Sequence, residues 1–431
     1  MLYRLEQLTL SPAGHLSWGG CDAVELAAAF GTPLYVVDEE QVRERCRQYR
    51  SAADRYLGDA EVHYAGKAFL NIAMCQLVEE EELGLDVVSG GELYTALKAG
   101  FPADRIILHG SNKSQQELEM ALEAGVRIVV DSLSELELLE ELVSQGRRAR
   151  VLLRYTPGVR AGTHRFIETG VADSKFGLPS LDACLEAVGR CLDNPAVSLD
   201  GLHCHIGSQI VNVAPFAEAT EILTGLLGEV KRRFGAELPL LNLGGGLGVR
   251  YRPGDRVPSV DEYLAGLGAV IRASLDREGL KPPRVIIEPG RSIVAEAGIT
   301  LYRAGVAKEI PGVRRYVSVD GGLPDNPRPA LYGAEYHAIL ANRPRERAEL
   351  TYTVAGKTCE SGDIIIREVN LPEVHRGDLV AVFATGAYNY SMASNYNRLP
   401  RPGVVFVRNG HARWVVARET YDDLVARDLP L

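Results

Sequence analysis

The sequence predicts a (β/α)8 (TIM) barrel joined to a mostly antiparallel β-sandwich or β-barrel domain. Between residues 61 and 290, short apolar segments of strand length alternate with segments of helical periodicity. These apolar segments are near-continuous, as in strands buried on both faces of a parallel sheet covered by helices. After residue 290 the rhythm stops, and strand-like runs follow one another with turn residues between them. An open, doubly wound sheet is the alternative to the closed barrel.

In chain order, residues 1–33 carry turns at Ser11-Pro12-Ala13-Gly14 and Trp18-Gly19-Gly20 and only a short helical patch, so they join the second domain. A strand at 34–38 and a helix at 39–56 come next. Eight strands are then expected at 61–66, 85–89, 105–110, 127–131, 149–155, 199–206, 239–243 and 284–287. Helices at 91–99, 115–124, 134–145, 179–194, 215–234 and 260–278 separate most of them. Eight such repeats over about 230 residues favour closure. The barrel is therefore assigned to 34–290, and the β domain to 1–33 with 291–431. Its expected strands are 299–308, 315–319, 348–354, 378–383, 403–408 and 412–417, with a helix at 420–427.

Composition narrows the function. With 47 Lys+Arg against 57 Asp+Glu, the net charge of −10 argues against a nucleic-acid partner. No apolar run is long enough to cross a bilayer, and the N-terminus lacks a signal-peptide core, so a cytoplasmic enzyme is expected. The seven cysteines show no CxxC pair and no zinc spacing, which suggests free thiols in a reducing compartment.

Chemistry gathers at the strand ends. Lys67 follows the first strand, Asp86 lies in the second, His109 follows the third, and Asp131 the fourth. Arg154 lies in the fifth, His203 and His205 in the sixth, Gly244-Gly245-Gly246 after the seventh, and Glu288-Pro289-Gly290-Arg291 after the eighth. Polar groups collected at the C-terminal ends of barrel strands read as an active site, and the loops after strands seven and eight commonly hold phosphate. His203-x-His205 lacks a third ligand at a recognisable spacing, so no metal is expected. A lysine for a Schiff base, glycines for a phosphate and an acid for a ring nitrogen together suggest pyridoxal phosphate. In the second domain, Cys359-Glu360-Ser361-Gly362-Asp363 is a glycine-bounded loop. It fits an exposed, reactive cysteine and a small buried one equally well.

These stretches, with Tyr64-Ala65-Gly66-Lys67, His109-Gly110-Ser111-Asn112-Lys113, His203-Cys204-His205-Ile206-Gly207-Ser208-Gln209 and Gly386-Ala387-Tyr388, run in one order from about residue 30 to 405. The sequence thereby resembles the fold-type III pyridoxal-phosphate decarboxylases, and within them the branch acting on meso-2,6-diaminopimelate. The resemblance implies that Lys67 carries the cofactor, His205 stacks on its ring and Glu288 pairs with its nitrogen. It places Ser208, Gly244, Gly245, Gly246, Gly290, Arg291 and Tyr388 at the phosphate or the border of the site, with Asp86 and Arg154 beside them. It further implies that Arg291, Arg328, Tyr332, Glu360 and Tyr388 contact an amino-acid substrate and that Cys359 donates a proton. A homodimer is implied, because Cys359 and Glu360 reach the partner's active site in such enzymes. Decarboxylation of ornithine, arginine or carboxynorspermidine, or a non-enzymatic relative without cofactor, are the alternatives. One stretch departs from the family wording: Gly321-Gly322-Leu323-Pro324 stands where Gly-Met or Ala-Gly-Met is common.

Overall fold

The eight apolar segments of the first domain lie side by side, and the last pairs with the first. In the computed structural model, which describes residues 8–143, 146–160, 169–170 and 173–431, the strands Ala60–Ala65, Gly84–Val87, Ile106–Leu108, Arg127–Val130, Ala149–Arg154, Val197–His203, Leu240–Asn242 and Arg284–Ile287 form a closed barrel. Every neighbouring pair is parallel. Closure runs through Val285, Ile286 and Ile287 of the eighth strand, paired with Ala60, Glu61 and Val62 of the first. Side chains from alternate positions, among them Ile107, Val129, Leu152, Leu240 and Ile286, fill the interior. The barrel is a packed core.

The helices begin and end where side-chain chemistry dictates. Ser114 and Glu117 form a capping box at the start of Gln115–Ala124, and Ser259 and Glu262 do the same for Val260–Glu278. Both helices end on a glycine in the left-handed region, Gly125 and Gly279. The expected helix 134–145 is observed as Leu133–Val143, and residues 144 and 145 lie outside the described residues.

The second unit comprises Met1–Val42, Val249–Arg256 and Ile293–Leu431, and the barrel unit Arg43–Gly248 with Val257–Ser292. The second unit's main sheet runs Ile364–Leu371, Leu350–Ala355, Arg314–Val319, Gly298–Ile310, Leu34–Asp38, Gly403–Arg408, His411–Val416, with Leu379–Phe383 and Ala338–Leu340 branching from it. The pairing is antiparallel except for two pairs, Arg314–Val319 with Leu350–Ala355 and Leu34–Asp38 with Gly403–Arg408. These strands thus join in one branched path of nine.

Two features differ from the sequence reading. Leu34–Asp38, assigned to the barrel domain by the boundary at residue 34, is a strand of this sheet, hydrogen-bonded between Gly298–Ile310 and Gly403–Arg408. All five of its residues are buried, and such a run looks the same from its sequence in either kind of sheet. Ala338–Leu340 and Ile364–Leu371 are additional strands. The first has three residues, too few for a periodic signal.

Leu152 is fully buried in the barrel interior. Leu152→Ala is expected to lower stability by about 2–5 kcal/mol, seen as a lower urea midpoint for the transition that tracks barrel unfolding.

Candidate active site

Closure of the barrel is what brings the first and last strand ends together. The amide of Ala65 donates to Pro289 O at 3.1 Å, and Gly290 lies so near Ala65 that an added Cβ would sit 3.0 Å from its Cβ. Lys67 follows immediately, half-buried in a single 3-10 turn, Gly66–Ala68. Its positive charge is felt by Asp86, Glu92 and His205. The other lysine of the strand-end motifs, Lys113, has a structural role. Its ammonium is buried between Gly110 O and Val129 O, each 2.7 Å away, and Glu135 at 2.8 Å.

Glu288 is the electrostatic centre. It is buried, and its Oε1 accepts from Asn242 Nδ2 at 2.6 Å and from His109 Nε2 at 2.8 Å. His203 Nε2 lies 3.3 Å from Oε2 without a well-aligned hydrogen bond, and its ring packs edge-on against His109 with centroids 4.7 Å apart. Burial pushes the Glu288 carboxyl up, but His109 and His203 outweigh it and hold the group well below the usual carboxylate range. Asp86 goes the other way, raised by burial and by the Glu288 charge despite His109 at 3.7 Å. Its Oδ1 is buried with no hydrogen-bond partner among the described residues. Burial also moves His203 down to about 3, so its imidazole is neutral near pH 7. His109, His203 and Glu288 offer ligand atoms within 4.8 Å of one another, a spacing a metal could use. The short contacts on Oε1, however, come from an amide and an imidazole, which suits a hydrogen-bonded carboxylate aimed at an organic cation.

His205 is half-buried, and Gly245 N donates to its Nδ1 at 3.3 Å, so the proton of the neutral ring belongs on Nε2. Burial first, then the charge of Lys67, holds this imidazole well below its ordinary range. Gly244 and Gly246 sit at φ 64° and 124°. A Cβ on Gly245 would meet Glu288 O at 2.0 Å, so the turn after strand seven hugs strand eight. Arg291 donates to Ser208 Oγ at 2.9 Å through Nη2, joining the loops after strands six and eight. Arg154 lies buried 3.6 Å from Asp131 and stacks on Phe176 at 4.4 Å.

The barrel thus assembles Lys67, Asp86, Arg154, His205, Ser208, Gly244, Gly245, Gly246, Glu288, Gly290 and Arg291 from its strand ends. His109 and Asn242 hold Glu288 ionised, yet the sequence reading gave them no role. The signal was present, since each is a polar residue closing an apolar strand.

Arg328, Tyr332, Cys359, Glu360 and Tyr388 belong to the second unit. Arg328 opens a short helix, Arg328–Tyr332. It is 4% exposed, with Tyr336 Oη at 2.6 Å and Tyr251 Oη at 2.9 Å, and its guanidinium lies 5.0 Å from the Tyr251 ring centroid. Burial opposes its charge, but the two phenols more than offset this and raise its pKa. Its Nε has no partner, and no carboxylate lies within ion-pair distance among the described residues. Tyr332 and Tyr388 are half-buried, and Tyr388 takes φ 61°. Cys359 and Glu360 are exposed, whereas the other six cysteines are buried. Burial pushes Cys46, Cys75, Cys184, Cys191 and Cys204 each to about 12.

A barrel with a rim lysine, a buried anionic carboxylate and a glycine turn defines an enzyme built around a carbonyl cofactor with an anionic tail. A family model described as pyridoxal-dependent decarboxylase, pyridoxal binding domain, matches residues 39–295. The chain belongs to this family of pyridoxal-dependent decarboxylases. It is 52% identical to the diaminopimelate decarboxylase of Bacillus subtilis over 420 residues, covering 97% of this chain and 96% of that protein. Among solved structures it is similar to diaminopimelate decarboxylase from M. jannaschii in complex with L-lysine, with a TM-score of 0.90 and 37% identity over 98% of both chains. It is also similar to the Helicobacter pylori enzyme complexed with L-lysine, with a TM-score of 0.85 and 31% identity over 94% of this chain and 98% of that one.

His203 remains neutral in the fold down to about pH 3, whereas in the unfolded chain it charges near pH 6.5. The unfolded state therefore binds the extra proton in that window, and stability falls as pH drops through it. His203→Asn is expected to flatten the fall of the unfolding free energy between pH 6.5 and 4 by up to about 1.4 kcal/mol per pH unit, measured by urea titration at each pH.

Proposed function

We propose that this protein decarboxylates meso-2,6-diaminopimelate to L-lysine and CO2, the step that yields lysine, as a cytoplasmic homodimer. The observation that carries the choice of substrate is Arg328, a buried cation without an acid partner. An α-carboxylate is consumed in any amino-acid decarboxylation, so an arginine reserved for a second carboxylate suits a substrate with an amino-acid group at both ends. Ornithine and arginine have no such far end. The full-length likeness to diaminopimelate decarboxylases supports the same reading.

The residues fit pyridoxal phosphate. Lys67 would hold its carbonyl carbon, Glu288 its ring nitrogen, and His205 its ring face. Gly244, Gly245, Gly246, Ser208, Gly290, Arg291 and Tyr388 would hold its phosphate or border it, with Asp86 and Arg154 near the ring. When bound, the cofactor accepts the electron pair left on Cα as CO2 departs. Glu288, kept anionic by His109 and His203, would keep a proton on the ring nitrogen and so sustain that capacity. His205, neutral, offers a flat face without adding charge. The Lys67 amine would hold the cofactor until the amine of the substrate takes its place. Arg328 and Tyr332 orient the distal carboxylate, and Glu360 the distal ammonium. The Cys359 thiol delivers the proton that replaces CO2 on Cα, each subunit supplying Cys359 and Glu360 to its partner's site.

Lys67→Ala is expected to abolish the yellow absorbance near about 420 nm that a lysine Schiff base gives, together with CO2 release. A panel of meso-diaminopimelate, ornithine, arginine and carboxynorspermidine tests the substrate directly. Turnover of another member with none of the first would overturn the assignment. Arg328→Lys is expected to raise KM for meso-diaminopimelate about 10- to 100-fold, because one ammonium cannot replace a planar fork. Sedimentation of the holoenzyme tests the dimer.

A further inference from the structure

The loop bearing Cys359 and Glu360 is tied to the loop leading into Arg328, and one side chain makes most of the tie. Asp363 is 3% exposed. Its Oδ1 accepts the amide of Leu323 at 2.7 Å, and its Oδ2 accepts the amide and the hydroxyl of Thr358 at 2.9 and 2.6 Å. Leu323 lies in the turn that ends at Arg328, where Asn326 N donates back to Gly322 O at 2.9 Å. Thr358 is the residue before Cys359.

Both loops are shaped to admit this carboxylate. A Cβ on Gly322 would come within 2.5 Å of Asp363 Oδ1, and one on Gly356 within 2.3 Å of both carboxylate oxygens. The stretch Gly321-Gly322-Leu323-Pro324, the one departure from the family wording, is thus a turn wrapped around Asp363. A backbone bond reinforces the joint, Lys357 N to Gly321 O at 3.0 Å. On the far side, Cys359 N donates to Asn397 Oδ1 at 2.8 Å, and Asn397 sits at φ 53°. Cys359 is therefore held by its neighbours while its own side chain stays exposed.

We propose that Asp363 is a positioning residue that sets the placement of the proton donor Cys359 and the carboxylate reader Arg328 together. This rests on the roles proposed for those two residues. The chemistry requires an anion at 363. A carboxylate accepts at both oxygens, and here every partner is a donor. An amide accepts at one end only, so Asp363→Asn must leave either Leu323 or Thr358 facing an NH2 group. Thr358→Val removes only the hydroxyl arm on the Cys359 side.

The test uses purified holoenzyme, with absorbance near about 420 nm as the measure of a filled cofactor site. Asp363→Asn is expected to keep that absorbance and lose about 10- to 100-fold in kcat/KM for meso-diaminopimelate, through both kcat and KM. Thr358→Val is expected to lower kcat about 3- to 10-fold and leave KM in place. A melting temperature that falls while kcat and KM per cofactor-loaded site stay at wild-type values, in either variant, overturns the proposal. If Asp363→Asn fails to fold, Thr358→Val decides alone. If the wild-type protein turns over a different amino acid, the substrate assignment fails, and the same ratios are read on that amino acid.

Discussion

An ionised carboxylate buried away from water needs donors on every side, and Glu288 meets that need with groups from three other strands. Asn242 donates from strand seven and His109 from the end of strand three, while His203 of strand six lies 3.3 Å away without a well-aligned hydrogen bond. Such donors converge only if the sheet is closed and its registers are correct, since a slip of one residue would turn each side chain to the opposite face. The barrel's geometry and the charge state of Glu288 are therefore one constraint. Removing a single donor would leave a buried anion short of partners, which costs more than the lost bond itself. The neighbouring groups are tuned by burial, reinforced at Asp86 by the Glu288 charge and opposed by it at the two histidines. Asp86, close by, is pushed toward its neutral form, and His205 and His203 stay uncharged.

The second unit solves the complementary problem. Arg328 is a buried cation whose nearest partners are phenols. The two phenol oxygens accept from its Nη1 without neutralising it. The barrel unit thus carries a buried negative charge at Glu288, and the second unit a buried positive one at Arg328.

Much of this was legible in the sequence, for a physical reason. A parallel barrel buries its strands on both faces, so each strand is a dense apolar run, and any polar residue closing it stands out. Lys67, His205, Glu288 and the Gly244–Gly246 turn stand out in the sequence in this way. What could not be read depends on pairing between distant segments. The run at 34–38 carries no mark of which sheet receives it, and its partners lie at 298–301 and 403–407. The roles of His109 and Asn242 appear only when their strands are set beside the eighth. Ile364–Leu371 is half exposed, with Arg367, Glu368 and Asn370 facing out, so its apolar signal is diluted. The Arg328 segment reads as a turn because of its two prolines, and Pro329 instead occupies the first turn of a short helix, where a missing amide hydrogen costs nothing.

The distribution of sulfur has a practical corollary. Within a single chain, burial withholds six of the seven thiols from solvent and disfavours their anions, and only Cys359 is exposed. An electrophile or oxidant applied to a single folded chain would report on one position, on the loop for which proton delivery is proposed. The six sheltered cysteines serve the core as small apolar residues, while the seventh exposes the enzyme to the redox state of its surroundings.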